Sequence, residues 1–303
     1  MKKLILSLVF LLAGVSLVAQ DYFPTNSGVK SKNNNFTAFT NAKIYVTPSQ
    51  VITNGTLLIQ NGKVVGVGKS VSIPQNAITI NLEGKSIYPS FIDLYSSFGI
   101  AKPKRAGFGR SSRYEATREG YYWNDHVMPE TNGIDKFKFD AKKATDLQKA
   151  GFGVVNTHLQ DGIARGTGVL VALNGNGSNA DRILDDKSAQ YFSLSRSVVK
   201  SQPYPSSLMG SLALLRQMYS DASWYATGKS TTKDLALEAL NKNKNMVQIF
   251  EAGDKGHALR ADKIGDANGI QYVILAGGNE YESISEIKAT NATYLVPINF
   301  PDA

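Results

Sequence analysis

The side chains that could do acid–base or metal chemistry are few and scattered. The three histidines are His126, His158 and His257, and none has a second histidine at metal-ligand spacing. Two of them with Glu251 would make a His2Glu set of the kind that holds a catalytic zinc. Asp125 precedes His126 and Asp161 follows His158, so either carboxylate could orient an imidazole as a general base, with Ser96 or Ser97 as nucleophile. No Gly-x-Ser-x-Gly elbow accompanies those serines. Tyr114, Tyr121, Tyr122 and Trp123 offer rings to stack on a sugar or peptide, or to pack a lid onto the body. In Arg165-Gly166-Thr167-Gly168 the glycines suit a tight backbone approach, which by itself is a weak phosphate signature.

These residues need elements to place them. From Phe36 to about Tyr88 short β-rich runs alternate with Asn, Gly and Pro. Leu57–Ile59 and Val64–Val67 flank Asn61-Gly62, the strongest short hairpin signal. Residues 98–134 form a long loop without periodicity, which would lie over the mouth of whatever follows. After it, strands and helices alternate. Strands are expected at Phe152–Thr157, Gly168–Leu173, Tyr191–Leu194, Met246–Phe250, Tyr272–Leu275 and Thr293–Ile298. Helices are expected at Asp140–Ala150, Pro205–Tyr219, from Thr232, at Gly256–Ala267 and at Tyr281–Lys288. Alternation of this kind predicts an α/β fold of parallel strands with crossover helices. No Gly-x-Gly-x-x-Gly follows the first strand, which disfavours a dinucleotide fold.

The 303 residues suffice for one large core or two smaller ones. Met1-Lys2-Lys3 followed by the apolar run Leu4–Ala19 reads as a signal peptide (1–19) cut before Gln20, giving an exported protein, periplasmic or extracellular. A polar lead-in (20–35) follows. There is no cysteine, hence no disulfide, thiolate ligand or cysteine nucleophile. The formal charge is +8, less two when Lys2 and Lys3 leave with the signal. Much of the excess is Lys102, Lys104, Arg105, Arg110, Arg113 and Arg118, a solvated loop or a basic rim for an anionic partner. Nucleic acid is not an expected partner, nor is a membrane once the signal is removed.

Gln60 to Gly68, then Gly84-Lys85 through Asp93, together resemble the opening of the amidohydrolase superfamily, of the imidazolonepropionase and dihydroorotase kind. Tyr121 to His126 is similar to a run in an exported bacterial branch of it. The resemblance spans roughly 36–301. It implies a small β-sandwich domain (36–87) followed by a TIM-type (β/α)8 barrel (88–303), incomplete here because the chain stops just after a strand. Such proteins hydrolyse carbon–nitrogen bonds other than peptide bonds through a hydroxide made on one or two divalent ions, usually zinc. The resemblance puts the family's His-x-His on Tyr95 and Ser97, its fifth-strand histidine on Phe250 or Glu251, and its sixth-strand histidine in Ala276-Gly277-Gly278. No metal set is therefore expected. The candidate catalytic residues are Asp93, His126 and Glu251, with Asp93 equally suited to capping within the barrel. Tyr95, Ser97, Trp123, Asp125 and His158 are the candidates to touch a small-molecule or peptide-like substrate. Two functions compete: a hydrolase of this class, or a silent barrel that binds a ligand or supports a homologous unit or a second copy.

Overall fold

The computed structural model describes residues 35–105, 114 and 119–297. The expected signal peptide, the lead-in up to residue 34, and Arg110, Arg113 and Arg118 lie outside them. The chain is a mixed α/β protein with three sheets.

The first sheet holds β1 (Phe36–Thr47), β2 (Gln50–Gln60), β3 (Lys63–Gly68), β4 (Ile78–Asn81) and β5 (Ser86–Ile87). Its order is β3-β2-β1-β4, with β5 also on β1. Asn61 and Gly62 have φ of 52° and 72°, as a type I′ turn demands, and Gln60 pairs with Lys63 across it. Ala38, Ala42, Ile44 and Leu58 are buried, whereas Val64, Val65, Val67, Ile78 and Ile80 are exposed. Among the described residues these five strands belong to one hydrogen-bonded sheet.

The other two sheets meet in one bent strand. They contain β6 (Phe91–Ser96), β7 (Phe152–Thr157), β8 (Ala164–Thr167), β9 (Val169–Ala172), β10 (Ile183–Asp185), β11 (Gln190–Ser193), β12 (Gln248–Glu251), β13 (Tyr272–Leu275) and β14 (Thr293–Leu295). The orders are β10-β9-β7-β6 and β14-β13-β12-β11-β8. Only Gly168 separates β8 from β9, so one sheet continues into the other at that residue. Among the described residues no strand pairs β6 with β14, and the pairing does not close into an eight-stranded ring. The expectation of parallel strands holds for β6 with β7 and for β11 through β14. It fails at the bent strand, which runs antiparallel to β7 and to β11. The cause is the short link from Thr157 to Ala164, which cannot accommodate a crossover helix.

The α-helices among the described residues are α1 (Ala141–Lys149), α2 (Asn179–Arg182), α3 (Leu208–Tyr225), α4 (Leu235–Lys242), α5 (Lys255–Ala267) and α6 (Ile284–Ala289). Asp140, Ser207, Asp234 and Asp254 cap α1, α3, α4 and α5 by accepting a backbone N–H of the first turn. Alternation gives the third sheet two faces. Phe192, Phe250, Tyr272 and Ile274 pack outward with Leu212, Leu215, Met218 and Ile264 of the helices. Tyr191 and Ile249 face the interior, against Tyr95, Val273 and Leu295. No described helix is long and apolar enough to cross a membrane.

Candidate functional site

The interior centres on Arg165, carried by β8 and only 4% exposed. Its Nη2 lies 2.6 Å from the Glu251 carboxylate at the end of β12. Nη1 donates to the Tyr95 hydroxyl of β6 at 2.7 Å, and Nε donates to the Gly162 carbonyl at 3.0 Å. A buried guanidinium needs such compensation, because removing an unpaired charge from water costs several kcal/mol. Burial pushes the Tyr95 phenol well above its ordinary range, so it stays protonated. Gly166 makes the placement possible. Its φ is 83°, and a Cβ there would collide with the Thr131 carbonyl.

His158 lies beside this network at the end of β7. Its ring stacks on Tyr191 at 3.5 Å and 4° and meets Tyr95 edge-on at 4.7 Å. Neither ring nitrogen, nor the Tyr191 hydroxyl, has a hydrogen-bond partner among the described residues. Burial, then the charge on Arg165, holds the imidazole well below its usual range, so it is neutral.

His126 lies in a different cluster, where the long loop is knitted to the body. The Ser197 N–H donates to Nδ1 at 3.1 Å, so Nε2 carries the proton and donates to the Gln202 carbonyl at 2.9 Å. The Asp125 N–H donates to the Gln202 side chain at 2.6 Å, and Asn124 donates to the Tyr204 carbonyl at 2.9 Å. Trp123 stacks on Tyr204 at 6.0 Å, and Tyr122 donates to Asp221 at 2.6 Å. Asp161 belongs here too, accepting from the Ser197 hydroxyl at 2.5 Å and the Val198 N–H at 2.7 Å. The Tyr122–His126 run therefore pins the segment between β11 and α3, with Asn124 and His126 buried.

The sequence candidates thus separate into groups. Tyr95, His158 and Glu251 converge in the interior. Trp123, Asp125 and His126 form the clamp. Asp93 makes a local bond, accepting the Tyr95 N–H at 3.1 Å. Ser97 lies past the end of β6 and is exposed, while Ser96 is buried. A bulge explains this: Asp93 pairs with Val155 and Ser96 with Thr157, so one extra residue on β6 breaks the alternation that would have set Tyr95 and Ser97 on one face. His257 sits in the first turn of α5, its Nδ1 3.0 Å from both the Asp254 carboxylate and the Ala252 carbonyl. Glu251 and His257 also line a cleft of about 350 Å3 with Arg196, Ser195 and Ser207, at the ends of β11 and β12.

A divalent ion does not fit these donors. Tyr95 is a protonated phenol engaged by a guanidinium, and that cation already engages Glu251 as well. The described residues contain no group of three or more His, Asp or Glu placed to hold a metal, so the His2Glu arrangement is not assembled. Arg165 and Tyr191 were missed as interior residues by sequence reasoning. The available signal was an arginine inside the otherwise uncharged run Ile163–Leu173, which as a buried strand must find a carboxylate.

No protein-family model matches the chain, and no curated protein matches it. Among solved structures it is similar to an amidohydrolase from Thermotoga maritima MSB8, at 22% identity and a TM-score of 0.66, over 86% of this chain and 70% of that one. A second amidohydrolase (13% identity, TM-score 0.41) and a prolidase (12%, 0.44) are each matched over 86% of this chain and 65% of theirs. The fold is that of the Thermotoga amidohydrolase.

Proposed function

We propose that this chain is an exported unit of the amidohydrolase superfamily, of the class that hydrolyses carbon–nitrogen bonds other than peptide bonds. It comprises a small β domain and strands and helices of a TIM-type (β/α)8 barrel. In this unit the metal centre is replaced, and the barrel binds a small or peptide-like ligand or supports a homologous catalytic partner. The observation that carries the reading is Arg165 bridging Tyr95, which the resemblance aligns with a metal-ligand histidine, and Glu251, one of the two residues it aligns with the fifth-strand ligand. A ligand would enter by the cleft of about 350 Å3, whose lining includes Glu251, Arg196 and His257 beside several serines.

Elemental analysis after dialysis tests it. The expected result is no stoichiometric zinc, with no rise in thermal midpoint on adding zinc; about one zinc per chain would defeat the proposal. Tyr95→His with Ser97→His should not create a zinc site, because Ser97 does not face the interior.

A further inference from the structure

We infer that the Arg165 guanidinium is the resident cation of the interior, cross-linking β6, β8 and β12 in the place that the resemblance reserves for a metal ion. It therefore excludes a divalent ion by occupancy, and not merely through missing ligands. The inference concerns this cation alone and holds whether or not the chain hydrolyses anything.

Three observations meet here. First, the guanidinium reaches acceptors on two other strands, Tyr95 at 2.7 Å and Glu251 at 2.6 Å, and is steadied by a local bond to the Gly162 carbonyl at 3.0 Å. A planar fork of fixed N–H directions suits that task, whereas a lysine ammonium offers a point charge. Second, among the described residues β6 is an edge strand that pairs only with β7. Its bond to Arg165 is a tie across the interior, joining it to β12 through Glu251. Third, the backbone is shaped to deliver this side chain. Gly166 takes a left-handed conformation against the Thr131 carbonyl, and the Thr167 N–H bonds that same carbonyl at 2.9 Å. A second cation entering beside the guanidinium would be repelled and would find the Glu251 carboxylate already engaged.

The test is chemical rescue. Arg165→Ala is expected to lower the thermal midpoint of the full chain by about 10 °C, since it leaves the Glu251 carboxylate without its cation. Millimolar methylguanidinium should then restore most of the loss, saturably, whereas methylammonium and potassium at equal ionic strength should not. Adding Tyr95→Phe should weaken the apparent affinity for methylguanidinium about fivefold, the share of one hydrogen bond. Equal effects of methylguanidinium and methylammonium would overturn the inference. Should Arg165→Ala fail to fold, Arg165→Met, Glu251→Met and the double variant decide. A double variant more stable than either single supports the bridge, and strictly additive losses refute it.

Discussion

His126 and His158 are both buried, both held below the ordinary imidazole range by burial, and both within three residues of an aspartate. Their surroundings are opposite. Both ring nitrogens of His126 are taken by backbone groups, which fixes its tautomer and makes it a strut between two loops. His158 is held by the faces and edges of tyrosine rings, with no protein partner at either nitrogen among the described residues. The aspartate near His158 in sequence serves the other cluster in space, since Asp161 binds Ser197 and Val198 beside His126. An Asp close to a His in sequence is thus no measure of an acid–base pair. What decides is which segment the carboxylate's fold neighbours bring to it.

The comparison can be broken most forcefully at Asp161. Asp161→Ala removes the acceptor for the Ser197 hydroxyl and the Val198 N–H and should cost about 3 kcal/mol, measured by urea unfolding. His126→Phe should cost about 2 kcal/mol, because it leaves the Ser197 N–H and Gln202 carbonyl unpaired. A loss below about 0.5 kcal/mol would mean the clamp is not a structural device.

The pH dependence comes next. The unfolded chain protonates its histidines near pH 6.5, and the folded chain resists doing so. Both groups therefore contribute stability that is complete above that pH and is lost as pH falls through it. As pH falls below 6.5, His158 should contribute the larger share of the loss, seen as a falling urea midpoint that is blunted in His158→Phe. The smallest effect is expected from His158→Phe, which keeps the stack and gives up no protein hydrogen bond. Its stability at pH 8 should stay within about 1 kcal/mol of the parent, and the acid loss should shrink. A large loss at pH 8 would show that the imidazole nitrogens do matter to the fold.

Much of the architecture was legible beforehand. Phe152–Thr157 and Tyr272–Leu275 are strands at the expected residues, and the Asn61-Gly62 hairpin adopts the expected turn. Boundaries moved where local signals competed. Asp234, two residues after Thr232, is the cap of α4, and α3 runs on to Tyr225 because Ala222 continues its buried stripe. The direction of β8 and β9 was hidden because apolar runs carry no sign of polarity along a sheet. The short link before them was the clue. In the site, Tyr95 and Glu251 both contact Arg165, and that cation comes from a strand with no pairing motif. The bulge that turns Ser97 outward leaves no mark in the residue types.

Gly166 reaches beyond its own turn. Surface loops ordinarily drift in length and sequence at little expense. Here the carbonyl of Thr131, within the long segment before α1, is lodged against the very peptide that aims Arg165. Lengthening that outer stretch by a single residue would displace a charge at the heart of the molecule, so a portion that looks like trimming is built as part of the frame.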